Sequence, residues 1–302
     1  MKYYKLILVN FYKSLIFLCF ILSPSFIFSD PVREPAVSGM FYPSEKEELR
    51  RNVSNYLEFA DDSSLKGELF GLIVPHAGYI YSGHVAAWSY KQIKNNTYDA
   101  VIIIGNSHRG MFKGASIGKY GAYKTPLGNA KINIDLVDKL LLKSEIFNFY
   151  PDAHRDEHSL EVQMPFLQLI VEDLKIVTVL LGDFSKKSAR TLATSLLDIT
   201  KGKKVLFIAS TDLSHYLPYK EAVKKDLFTI DAINKLDPVG FYNCVKNREC
   251  ELCGRGAVLT MLFLAEKAGA KKIKLLKYAN SGDVPIGNKN RVVGYAAMII
   301  VK

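Results

Sequence analysis

Six apolar runs rich in Val, Ile and Leu recur along this chain, and stretches with helical periodicity separate them. The runs cover residues 69–75, 100–105, 174–181, 204–210, 273–279 and 291–300. The helical stretches fall at about 83–94, 133–143, 157–172, 186–199, 220–235 and 255–269. Short continuous apolar runs read as strands buried on both faces. Their alternation with helices predicts an α/β fold, a mostly parallel or mixed central sheet flanked by helices. A further helix is expected over 45–59, with Leu49, Val53, Tyr56 and Leu57 on one side and Ser44 as its N-cap. The Gly-rich segment 112–128 reads as a hairpin or excursion beside the site. There is no internal repeat, low-complexity tract or linker, so residues 30–302 are expected to form one domain.

In an open α/β sheet, ligands gather outside the carboxyl ends of the strands. His76 stands just past ELFGLIVP, His108 past AVIIIGNS and His215 past KVLFIASTDLS, and the chain has six histidines in all. If these strands share a sheet and point one way, half the histidines converge on one edge. Neutral imidazole on a rigid strand end is a good transition-metal ligand, so the pattern predicts a metal site. Asp212, three residues before His215, is a candidate to bind the metal, orient a histidine or cap its turn. Cys253-Gly254-Arg255-Gly256 opens a helix, whose N-terminus together with Arg255 is expected to lower the thiol pKa. The competing reading of Cys253 is a small packing residue.

Two other chemistries are weaker fits. His154-Arg155-Asp156-Glu157-His158 matches H-x-x-E-H, the inverted zinc-peptidase string. That mechanism needs both histidines on one helix, whereas the apolar pattern starts only at Leu160. Glu157, His158 and Glu161 are therefore read as lining the rim of the main site or supporting its ligands. Ser107 and Ser214 each precede a histidine, but adjacent residues do not give Ser–His catalytic geometry and no G-x-S-x-G elbow occurs.

Lys2, Lys5 and Lys13 precede the apolar stretch Leu15–Leu22, and small residues follow up to Ser29. This describes a signal peptide over residues 1–29, with an uncleaved membrane anchor as the alternative. The predicted location is exported, periplasmic or extracellular, or membrane-anchored; without a functioning signal the chain stays cytoplasmic. Loss of three lysines and no acids takes the formal charge from +10 to +7. The remaining lysines are scattered and no nucleic-acid-binding motif accompanies them, so no nucleic-acid partner is expected. The charge licenses only a weak attraction to anionic membrane surfaces. Cys244, Cys250 and Cys253 follow the leader, and an odd number leaves one thiol unpaired. Cys250 and Cys253 form a C-x-x-C without thioredoxin-like context. For an exported chain, a Cys244–Cys250 disulfide with Cys253 free is the expected pairing.

The ordered set PAVSGMFYP, PHAGYIYSG, GNSH, YKTPLG, DEHSLEVQMPFL, STDLSHY, CGRG and YANSGD resembles the Memo family, called AmmeMemoRadiSam system protein B in bacteria and archaea. The resemblance runs from about Pro35 to the C-terminus. It implies a fold similar to class III extradiol dioxygenases, which are non-haem iron enzymes. It also implies a metal pocket of His76, His108, His215 and Cys253 with Asp212 nearby. Where those dioxygenases use a carboxylate, Cys253 offers a softer donor, which favours copper or thiolate-ligated iron. The function expected is thus an iron- or copper-dependent redox protein or oxidoreductase. His76, His108 and Cys253 would be ligands, His215 a further ligand or an acid/base, and Glu157 and Asp212 would tune them. The alternatives are a non-catalytic module binding a peptide or small ligand in the same pocket, and a metal chaperone. The family name further implies a radical-SAM partner. A signal peptide departs from a family that is usually intracellular.

Overall fold

The computed structural model describes residues 31–62 and 67–302, so the predicted leader lies outside the described residues. The chain opens with β1 (Val32–Arg33), α1 (Lys46–Phe59), β2 (Leu69–Val74), α2 (Tyr79–Lys91) and β3 (Ala100–Asn106). Short elements follow: β4 (Ala115–Ile117), β5 (Ala122–Thr125), β6 (Gly128–Ile132), α3 (Ile134–Leu141), β7 (Phe147–Asn148), α4 (Pro151–Arg155) and α5 (Met164–Ile170). Next come β8 (Lys175–Leu181), α6 (Lys186–Ile199), β9 (Val205–Ser210), β10 (His215–Leu217) and α7 (Tyr219–Asn234). The chain closes with α8 (Pro238–Lys246), α9 (Arg255–Lys267), β11 (Lys272–Asn280) and β12 (Val292–Val301).

The centre of the sheet is β8-β3-β9-β2, with all three pairings parallel. The antiparallel strand β12 lies beside β2, and β11 pairs antiparallel with β12, which makes the sheet mixed. Every residue of β3 is buried. This is why Ala100–Ile104 carries no polar alternation: helices cover both faces of a central parallel strand. The register sets Val74 beside Ser210 and Ile104 beside Ala209, so the exits of β2, β9 and β3 are neighbours. The chain thereby brings the segments following residues 74, 106 and 210 to one edge. The single α/β domain with a mixed sheet is the architecture expected from the alternation of runs.

Three local expectations are corrected, and one helix was not expected. The first residue capping α1 is Glu45 rather than Ser44, and no side chain caps that helix. The stretch 157–172 is not one helix. A 3-10 turn at Glu161–Gln163 leads into α5, which has Pro165 in its first turn, and Glu157 and His158 stay outside the helices. The excursion at 112–128 forms β4 and the β5–β6 hairpin beyond the β8 edge of the sheet. Its link to the site is indirect, through His154. The helix α8 was not among the expected elements; Asp237 caps it by accepting the Val239 N–H at 3.0 Å, with Pro238 at its first position. It carries Cys244, which forms a disulfide with Cys250, and Cys253 is free. Among the described residues no helix is long and apolar enough to cross a membrane.

Candidate metal centre

His76 leaves β2 after Pro75 and is fixed at three points. Its N–H donates to Asp212 Oδ1 at 2.7 Å, Nδ1 is 2.9 Å from Ser210 Oγ, and Nε2 is 3.0 Å from Cys253 Sγ. The tautomer follows from the surrounding hydrogen bonds. Ser210 Oγ donates its proton to the Ser159 carbonyl at 2.7 Å and accepts from Gln163 Nε2 at 3.0 Å. Its remaining capacity is as an acceptor, so His76 Nδ1 carries the hydrogen and Nε2 turns a lone pair towards the sulfur. Burial holds the His76 pKa well below the ordinary value, and the charges of His158 and His108 lower it further.

His108 lies just past β3 and is gripped by one carboxylate. Its N–H donates to Glu157 Oε2 at 2.7 Å, and Nδ1 donates to Glu157 Oε1 at 2.9 Å. Glu157 also accepts the Ser159 N–H at 2.9 Å. Burial opposes charge on Glu157, but the hydrogen bond and charge of His108 outweigh it and hold the carboxyl well below the usual carboxylate range. The same contact raises the His108 pKa against the effect of burial. An ionised carboxylate only accepts, so Nε2 of neutral His108 is again the free lone pair.

Cys253 reaches this edge because α9 is docked there. Asn106, the last residue of β3, accepts the N–H groups of Gly256 and Ala257, each at 3.0 Å, in the first turn of α9. Gly254 allows the close approach: a Cβ at that position would stand 2.3 Å from the Ser210 carbonyl oxygen. The Cys253 thiol pKa is raised rather than lowered as expected. Burial pushes the Cys253 thiol up, the Asp212 charge adds to this, and the exposed Arg255 lies over the Phe184 ring at 5.5 Å instead. Asp212 itself is pushed up to about 7 by burial, against the backbone N–H groups of His76 and Ala77.

One donor atom from each of His76, His108 and Cys253 lies within 4.8 Å of the others, and His108, Glu157 and His158 form a second such group. The nitrogen and sulfur donors of the first group suit a transition-metal ion. His215 is outside both groups. Its Nδ1 donates to the Leu213 carbonyl at 2.8 Å, which leaves Nε2 free, and burial lowers its pKa. The third imidazole against the pair is His158, whose ring centre is 4.7 Å from that of His108 and 5.2 Å from that of His76. Burial pushes its pKa down to about 4.

The H-x-x-E-H string is divided between two places. His154 is buried in the β4–β5 region, with Ser116 Oγ and Tyr123 Oη each 3.0 Å from a ring nitrogen. Glu161 does not line the ligand group but pairs with the buried Arg33. Ser107 Oγ accepts the Arg109 N–H at 3.3 Å and Ser214 Oγ is buried without a hydrogen-bond partner, so neither hydroxyl is bonded to a histidine as a hydrolase would need. Ser210, Gln163 and Ser159, which set the His76 tautomer, carried no sequence signal.

A family model described as Memo-like protein matches residues 33–299. The chain belongs to the Memo family. It is 39% identical over 269 residues to the MEMO1 family protein TV1383 of Thermoplasma volcanium, covering 89% of this chain and 98% of that one. A MEMO1 family protein of Thermotoga neapolitana is 39% identical over 282 residues, covering 89% and 99% of the two chains. The fold is similar to the crystal structure of the uncharacterized protein JW3007 from Escherichia coli K12. That match has a TM-score of 0.50 and 14% identity, and covers 78% of this Memo chain and all of that one.

Proposed function

We propose that this Memo protein is a mononuclear iron or copper protein acting in redox chemistry, with His76, His108 and Cys253 as metal ligands. The observation that carries the reading is the shared state of the two imidazoles. Both commit Nδ1 as a donor, to Ser210 and Glu157, and both leave Nε2 for a metal beside the Cys253 sulfur. Carboxylate–histidine pairing of this kind fixes the tautomer and raises ligand basicity in metal sites. A bound iron or copper ion supplies one-electron chemistry, and the thiolate donor favours these softer partners.

The protein's own groups have separate tasks in this reading. Glu157 orients His108 and fixes its tautomer. Asp212 fixes the His76 backbone and the loop below the sulfur. His215, with Nε2 free and Nδ1 anchored, is assigned to proton exchange with a substrate rather than to the ligand set. Export is part of the proposal, because the Cys244–Cys250 disulfide suits an oxidising compartment.

The test is elemental analysis of the protein purified without a metal-binding tag, beside His76→Ala, His108→Ala and Cys253→Ala variants. About one iron or copper per chain, lost in all three variants, supports the reading. Protein that stays metal-free after anaerobic reconstitution with either ion sinks it.

A further inference from the structure

Arg33 in β1 lies outside the metal-binding group and is buried, with its side chain 2% exposed. A buried guanidinium must find acceptors for its donors, because an unpaired charge in the interior is costly. Here those donors converge on one turn. Nε and Nη2 both donate to the His154 carbonyl, at 3.2 and 3.1 Å. Nη2 also meets the carbonyls of Arg155 at 3.1 Å and Glu157 at 2.7 Å. Nη1 pairs with the Glu161 carboxylate.

Three carbonyls within four residues therefore face a single guanidinium. That fixes the backbone delivering Glu157 to His108 and His158 to the two ligand imidazoles. Glu161 extends the grip by accepting the N–H groups of Ala36 at 2.8 Å and Val37 at 3.0 Å, and the Tyr42 hydroxyl. These contacts close the loop that lays Phe41 against His158, ring centres 5.0 Å apart. A lysine could not reproduce this arrangement, because a compact ammonium with three donors cannot span the carbonyls and the carboxylate together.

We propose that Arg33 is a positioning residue for the metal-binding group, holding the turn at 154–158 so that Glu157 can orient His108. This rests on the metal reading above, and its test separates the two. Full-length wild type, Arg33→Lys, Glu157→Gln and the double variant are titrated with Co²⁺ against a chelator. Circular dichroism and thermal unfolding of the metal-free proteins are recorded alongside. Each single variant is expected to weaken Co²⁺ binding about 10–100-fold. The double variant should bind no more weakly than the poorer single, because both substitutions break the same link. Arg33→Lys should keep the thiolate-to-cobalt charge-transfer absorption, since Cys253 is not on the held turn.

Losses that multiply in the double variant, or an Arg33→Lys protein that binds like wild type, overturn the proposal. If Arg33→Lys does not fold, Glu161→Gln replaces it in the cycle with the same criteria. Wild type that takes up no Co²⁺ overturns the metal reading itself, and the proposal falls with it.

Discussion

Cys253 and Asp212 hold each other through a reciprocal pair of contacts. The Cys253 N–H donates to the Asp212 carbonyl at 3.2 Å, and the Asp212 N–H donates to Cys253 Sγ at 3.2 Å. The sulfur is thus placed by the backbone following β9 as well as by its own helix, and the same Asp212 holds the His76 N–H. A conservative change at the sulfur should expose how much of the site depends on it. Cys253→Ser keeps the size and the donor capacity but replaces a soft ligand with a hard neutral one. It is expected to lose stoichiometric iron or copper while retaining the wild-type unfolding temperature within a few degrees. Metal analysis and a thermal melt check both parts.

Glu157→Gln removes the charge that stabilises protonated His108. The His108 pKa in the metal-free protein should fall below its wild-type value, read by NMR titration of the imidazole. Metal affinity should drop about 10–100-fold. An unchanged titration would place the control of His108 elsewhere.

His154 predicts an acid limb in stability that owes nothing to the metal group. Burial, aided by Arg33, pushes its pKa from the ordinary 6.5 down to about 4. Between those values the unfolded chain binds a proton that the folded chain refuses. Stability is therefore intact above pH 6.5 and falls as the pH drops towards 4. The full effect is on the order of 3 kcal/mol. In urea unfolding with chelator present, His154→Gln should lose on the order of 2–3 kcal/mol less than wild type between pH 7 and pH 4.5. Parallel curves for the two proteins would refute the assignment.

Gly254→Ala places a methyl group 2.3 Å from the Ser210 carbonyl oxygen, a backbone atom with little room to move. Overpacking of this kind costs about 1–3 kcal/mol. Because the displaced residue adjoins Cys253, metal binding should weaken together with stability, as thermal melts and a chelator competition would show.

Peptide mapping of residues 30–302 under non-reducing conditions should find Cys244 joined to Cys250, with Cys253 the one cysteine of that stretch open to alkylation after denaturation. A Cys244→Ser, Cys250→Ser double variant removes a short closed loop, and the chain-entropy term for such a loop is about 2 kcal/mol. Its urea midpoint should shift accordingly.

The legible part of this molecule was the part governed by periodicity. The runs at 69–75, 100–105, 174–181 and 204–210 are apolar because helices cover both faces of those strands, whereas their order across the sheet, β8-β3-β9-β2, was not legible in the sequence. His76 and His108 stood out because strand exits in such sheets gather at one edge. Glu157 and His158 were harder to place, because their string imitates a helical zinc motif while the backbone turns between His154 and Leu160. The hydroxyl relay through Ser210 and Gln163 could not be read at all. It joins residues distant in sequence, and neither residue type signals such a role by itself. The helix α8 escaped because it is only nine residues long with Gly240 inside it, although Pro238, Phe241 and Cys244 stand at helical spacing.

The ligand group draws on residues 76, 108 and 253, supported by Glu157, and no local stretch of chain contains it. Biogenesis inherits this arrangement. A ribosome must have made most of the polypeptide before the sulfur exists, and a chain threaded through a membrane pore in extended form holds no complete ligand set. On the proposed metal reading, the ion would therefore be drawn from whichever compartment the protein folds in. On that reading, the choice between competing metals would become a matter of where folding finishes as well as of donor chemistry.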